Sequence, residues 1–342
     1  MNSQDLFEHF PSLKLIYFIF PIILWIFGIS GNCLSIFVFM RKKLYMNSIS
    51  FYFIILIIND TIQIILGPMR RLILAIDTNL DPLIHSSAIC KIWTFLIYFL
   101  NGFSAWILSV ASVARIRFIL YSIKFEFTKR RLFQIIIIKF VAICLIIVNL
   151  PLILNMKLIE KEENKTVIVN ATISQISVVH MICYNDETKF KVKTAFIDLL
   201  VSSIIPFVIM ITTSIISLVV LWRVKNRNRF KLIASNNIAN GSRKFAKTND
   251  YQFAVTLIIV NTLFLCLNLP ICILLVIANL DIIQPTLSNI YLMYLFNLLM
   301  FLNSGLLFPL FFLSNKIFKK EFKKMCFELK KRLLKTKSRN LR

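Results

Sequence analysis

SISFYFIILIINDTIQIILGPMRRLIL, residues 48–74, is long enough to cross a bilayer. A helix needs ~20 apolar residues, at ~1.5 Å each, to span ~30 Å of hydrocarbon. Six further stretches of that kind surround it, at about 15–40, 92–114, 132–156, 193–222, 251–279 and 286–313. Of 342 residues 58% are hydrophobic, with 32 Phe and only 6 Gly, a composition that argues against a large soluble helical protein. The expected fold is all-α: a seven-transmembrane helix bundle over 15–313, after a tail over 1–14 and before a segment over 314–342. The first run lacks a small-residue cleavage site and reads as an uncleaved span. An odd number of crossings puts the two termini on opposite sides.

The net charge of +24 would normally point to nucleic acid. Its placement points to a membrane instead. With the N-terminus outside, segments 41–47, 115–131, 223–250 and 314–342 carry 29 Lys and Arg against four acids. That is the positive-inside pattern, so the orientation is N-out and C-in, with the basic excess facing anionic inner-leaflet lipid. Lys139, inside the fourth stretch, is near enough to the cytosolic face to snorkel.

The one long outer loop, about 157–192, carries two glycosylation triplets, at Asn164 and Asn170. Its stretch Thr166 to Tyr184 is rich in Val, Ile and Thr and suits a short β-hairpin. Only Cys90 and Cys183 face the oxidising side, so a disulfide between them would pin the loop over the bundle. Past the last span, Phe318, Phe322, Met325 and Leu329 line one face of a short amphipathic interfacial helix, with lysines on the other. Cys326, near its end, is either palmitoylated or an unmodified thiol.

Asp60 is the deepest charge, ~18 Å into its span. A carboxylate there must face the interior. Ser104 lies at similar depth, and Asn32 and Asn303 would complete a site for a sodium ion or a proton; a protonated Asp60 acting as helix glue is the alternative. Arg115, at the cytosolic end of span three, would pair with Asp250 at the start of span six, a contact suited to a switch. Prolines at 68, 151, 206, 270 and 309 bend their helices, and the kinks at Pro206, Pro270 and Pro309 suit a bundle whose cytosolic end opens.

Over essentially its full length the chain resembles a rhodopsin-like (class A) G-protein-coupled receptor. Gly31-Asn32, Asn59-Asp60, Cys90 with Cys183, Arg115, Pro206, Phe264 with Pro270, Pro309 and the Phe318 helix carry the resemblance. Arg115 follows Cys90 by 25 residues, as in the family. The departures are specific. The family's Asp-Arg-Tyr is Ala114-Arg115-Ile116, its span-six Trp is Asn268, and its Asn-Pro-x-x-Tyr is Phe308-Pro309-Leu310-Phe311-Phe312. Val141 replaces the usual span-four Trp. The pattern is similar to divergent invertebrate peptide-type or chemosensory receptors.

The resemblance implies a plasma-membrane receptor that binds an extracellular ligand and activates a heterotrimeric G protein. Ile97 stands where amine receptors carry Asp, and span seven has no Schiff-base lysine as in opsins. The upper bundle offers Arg70, Arg71, Tyr98, Asn101, Asp198, Asn268, Tyr291 and Tyr294 as ligand contacts, which suit a peptide. Headgroup snorkelling is the other reading of Arg70 and Arg71. The second class is a seven-span chemosensory or channel-like protein that does not signal through G proteins. An enzyme is not expected: the three histidines fall outside the bundle and form no metal cluster. A transporter is disfavoured because no internal repeat is evident.

Overall fold

The computed structural model describes residues 7–120, 131–169, 172–185, 196–197, 199–234, 241–279 and 286–340. Among the described residues six helices are long and apolar enough to cross a membrane: Pro11–Phe39, Ser48–Ile76, Ser87–Ile116, Arg131–Asn155, Leu199–Val220 and Gln252–Leu275. A bent pair, Ser288–Gly305 and Leu307–Ser314, makes the seventh. These are spans one to seven. The first starts four residues earlier than the sequence suggested, because Pro11 suits the opening turn of a helix and Phe7 buries against Tyr17.

Span two is the axis of the bundle and packs against spans one, three and seven. Of its most apolar window 56% is buried, against 12% for span four, which is therefore peripheral. Close approach depends on missing side chains. A Cβ on Gly67 would fall 2.0 Å from the Phe301 ring, and one on Gly28 would fall 3.2 Å from the Cα of Gly305.

The hinge of span seven lies at Gly305–Leu306, bent by 51°, one turn before the expected kink at Pro309. Pro309 has no N–H for the Gly305 carbonyl, so the ladder breaks upstream of the ring. Below the hinge, Phe308, Phe311 and Phe312 turn the altered motif into packing. Phe311 meets Phe39 at 5.0 Å and Phe53 at 4.9 Å, and Phe322 lies 5.4 Å from Phe308 and 5.7 Å from Phe312.

Two elements are longer than expected. The hairpin pairs strand β1, Met156–Val169, with β2, Thr172–Asn185, antiparallel, and β1 starts directly where span four ends. The terminal helix, Lys316–Asn340, has 25 residues, so Cys326 is exposed in its middle and not near its end. Asn315 caps it by accepting from the N–H groups of Ile317 and Phe318.

Candidate functional site

The mid-bundle polar layer holds most of the residues expected there, in two groups. Ser104 donates to Asp60 Oδ1, and Asn59 Nδ2 donates to Ser104 Oγ at 2.7 Å and to the Leu100 carbonyl at 2.8 Å. Asn32 does not join this group. Its Nδ2 donates to Thr61 Oγ1 and to the Ser304 carbonyl, both at 3.2 Å, and Ser304 Oγ donates to Gln63 Oε1. Asn303 is buried, and its Oδ1, like Asp60 Oδ2, has no partner among the described residues. Thr61, Gln63 and Ser304 were missed, although Gln63 lies one helical turn from Asp60 and so was open to detection.

Proline disturbs these helices, and two tryptophans repair them. Pro68 leaves the Ile64 carbonyl without its helical donor, and the Trp25 indole N–H fills the place at 2.8 Å. Around Pro206 the helix widens into a π-turn, Leu199–Ile204, where the carbonyl five residues back is Val201; the Trp106 indole donates to it at 2.8 Å. A second π-turn, Trp25–Ile29, follows Pro21, a proline the sequence reading passed over. Freed carbonyls in hydrocarbon need such partners.

At the end bearing the terminal helix, Arg115 is buried at the foot of span three. The side chain of Asp250 lies outside the described residues, so their pairing is not described. Other ties hold span six. Asn261 Nδ2 donates to Ser112 Oγ at 2.8 Å and Ser214 Oγ at 3.4 Å. Ser314 Oγ donates to Thr256 Oγ1, and the Lys316 N–H donates to Gln252 Oε1, both at 3.3 Å. Span six is thus fastened to spans three, five and seven and to the terminal helix. Pro270 lies within its helix.

A clamp at the same end joins residues 280 or more positions apart. Arg41 Nε donates to Glu321 Oε2 at 3.0 Å, and its two Nη groups donate to both oxygens of Glu328 at 3.0–3.1 Å. The Glu328 bonds hold the Arg41 guanidinium above its ordinary range, with Glu321 adding to them, while Arg41 holds the Glu328 carboxyl below the usual carboxylate range.

At the opposite end the disulfide Cys90–Cys183 ties β2 to the start of span three. The ligand candidates separate here. Arg70 is taken by Asp81, with Nε to Oδ1 at 3.0 Å and Nη2 to Oδ2 at 2.8 Å, so it serves the connection between spans two and three. Of the two adjacent arginines, Arg70 is thus the one that meets a carboxylate among the described residues. Arg71 and Tyr294 do come together, with the guanidinium carbon 5.8 Å from the ring centroid, and Tyr17 and Asn297 join them. Tyr291 packs on Phe10 at 4.8 Å. Tyr98 is exposed and Asn101 half-buried on span three. Asn268 is buried on span six, where its amide donates to the Phe264 carbonyl. Asp198 lies outside the described residues, as do Asn170 and the side chain of Asn164. Among the described residues no group of three or more His, Cys, Asp or Glu is placed to hold a metal ion.

A family model described as 7 transmembrane receptor (rhodopsin family) matches residues 31–326. No curated protein matches the chain significantly.

Proposed function

From the premise that the chain belongs to the rhodopsin family of seven-transmembrane receptors, we propose that it binds an extracellular peptide and activates a heterotrimeric G protein. The family makes it a multi-pass membrane receptor. Coupling and ligand type are the step beyond.

The observation that carries the reading is the set of hydrogen bonds holding span six closed. Asn261 to Ser112, Thr256 to Ser314 and Gln252 to Lys316 must all break if span six swings outward. A few neutral hydrogen bonds at ~1 kcal/mol each suit a two-state element that a ligand can bias. In this reading the expected pair of Arg115 with Asp250 opens as well, and Arg115, at the foot of span three, is presented to the G protein. This orients the terminal helix, with its lysines, toward anionic lipid on the cytosolic side, where Cys326 is open to palmitoylation. It also places Asn164 and Asn170 outside, within reach of glycosylation. Plasma-membrane residence follows from the same reading.

Asp60 Oδ2 and Asn303 Oδ1 are buried oxygens with unmet capacity, which fits a sodium ion held by Asp60, Ser104 and Asn303. Such an ion would neutralise the carboxylate, and a proton on Asp60 would do the same. The test is nucleotide exchange on a purified G protein. Asn261→Leu should raise basal exchange several-fold and Arg115→Ala should abolish it. If neither variant alters exchange, and no peptide stimulates it, the chain does not signal this way.

A further inference from the structure

Arg70 and Arg71 are neighbours in sequence, but successive helical residues point ~100° apart. Arg70 meets a carboxylate at two points, and that carboxylate, on Asp81, is only 8% exposed. Arg71 turns the other way, between spans one, two and seven. Its Nη2 donates to Asn297 Oδ1 at 3.0 Å, and its guanidinium carbon lies 5.6 Å from the Tyr17 ring and 5.8 Å from the Tyr294 ring. Among the described residues no acid forms an ion pair with it. Leu13, Leu74, Leu298 and Phe7 form the apolar wall of the same cluster.

Ring faces and one amide oxygen offset part of the cost of a guanidinium in such surroundings, but they do not neutralise it. Two donors show the shortfall. Arg71 Nε is covered and makes no hydrogen bond among the described residues, and neither does the hydroxyl of Tyr17, a side chain with 0% exposure. Buried donors without acceptors are uncommon, and here one belongs to the guanidinium itself and the other to a ring beside it, with no ion pair to that guanidinium among the described residues. Arg71 itself remains half-buried, so part of its side chain can still be approached.

We propose that Arg71 is an anion-binding site at the disulfide end of the bundle and takes a free carboxylate of the ligand. The half-buried Tyr294 ring packs against the apolar or aromatic group next to that carboxylate. The C-terminal residue of a peptide with an unblocked end has this chemistry. The inference rests on the receptor reading above, but its test does not use the G protein.

The probe is N-acetyl-phenylalanine, with N-acetyl-phenylalaninamide as its uncharged counterpart, and the readout is the thermal unfolding midpoint of the purified receptor. The acid should raise the midpoint and the amide should not. Arg71→Gln should require about tenfold more acid for the same rise, the equivalent of one lost charge-assisted hydrogen bond. Arg71→Lys should retain part of the effect. Arg70→Gln should lower the starting midpoint yet keep the rise with acid, which separates folding from binding. Equal responses to acid and amide, no response to the acid, or an undiminished response in Arg71→Gln would each overturn the site. Failure of nucleotide exchange alone would leave it standing.

Discussion

At the end of the bundle that bears the terminal helix, Arg41 faces two carboxylates, Glu321 and Glu328, and shares hydrogen bonds with both. At the disulfide end, Arg71 faces an amide and two aromatic rings and forms no ion pair among the described residues. The first arrangement fastens the terminal helix to the turn after span one, and its charges are spent inside the chain. The second leaves a charge with no ion pair among the described residues in an apolar setting, and in the proposal above a ligand supplies the anion. Arg70 shows that this is not a property of the disulfide end as a whole, since Asp81 neutralises it one residue away.

The sharpest way to break the contrast is to remove an anion at one arginine and the cation at the other. Asp81→Asn leaves Arg70 without a counter-charge and weakens the cap of the Pro82–His85 turn, where Asp81 accepts from the Leu83 N–H. A loss of about 2–3 kcal/mol is expected, read as a lower thermal midpoint, after allowance for the partial exposure of Arg70. Arg71→Gln, without ligand, should leave the midpoint unchanged or raise it, because it removes a charge that forms no ion pair among the described residues. A large loss from Arg71→Gln would show that Arg71 is as fully satisfied as Arg70.

Between the two ends the bundle depends on neutral donors. Trp25→Phe keeps the ring but leaves the Ile64 carbonyl without its donor, at about 1–2 kcal/mol. Denaturation of the purified variant measures this, and an unchanged midpoint would mean that another donor reaches that carbonyl.

The smallest effect concerns pH. Glu328 has its folded pKa depressed by Arg41, so its contribution is complete above the ordinary value of 4.5 and is lost as pH falls through the lower folded value. Arg41 is shifted upward, so its side of the clamp persists through neutral pH and is lost only in strong alkali. A spin label at Thr336 should therefore gain mobility only as pH falls through the lowered Glu328 value in the native chain, and Glu328→Gln should show that mobility at neutral pH. Identical spectra for the two at neutral pH would mean that the clamp does not hold the helix.

Much of this was legible beforehand, and for a common reason. Span positions, the Cys90–Cys183 pair and the matched depth of Asp60 and Ser104 depend on hydrophobicity or distance along a helix, which are one-dimensional quantities. The closed ties of span six were not legible, because Asn261 and Ser112 are 149 residues apart and ordinary in composition. The Arg41 clamp was hidden in the same way. Glu321 and Glu328 entered the charge count as two of four acids on a basic side, with nothing in the local pattern to pair them with a residue in the first connection.

What the sequence determined by itself is the membrane-spanning architecture, because ~20 apolar residues have few alternatives to a helix in lipid. It also determined which polar residues must turn inward. Only the tertiary structure decided which of two adjacent arginines would be neutralised. That depends on rotation about the helix axis and on which neighbour arrives opposite, Asp81 for one and Tyr17, Tyr294 and Asn297 for the other.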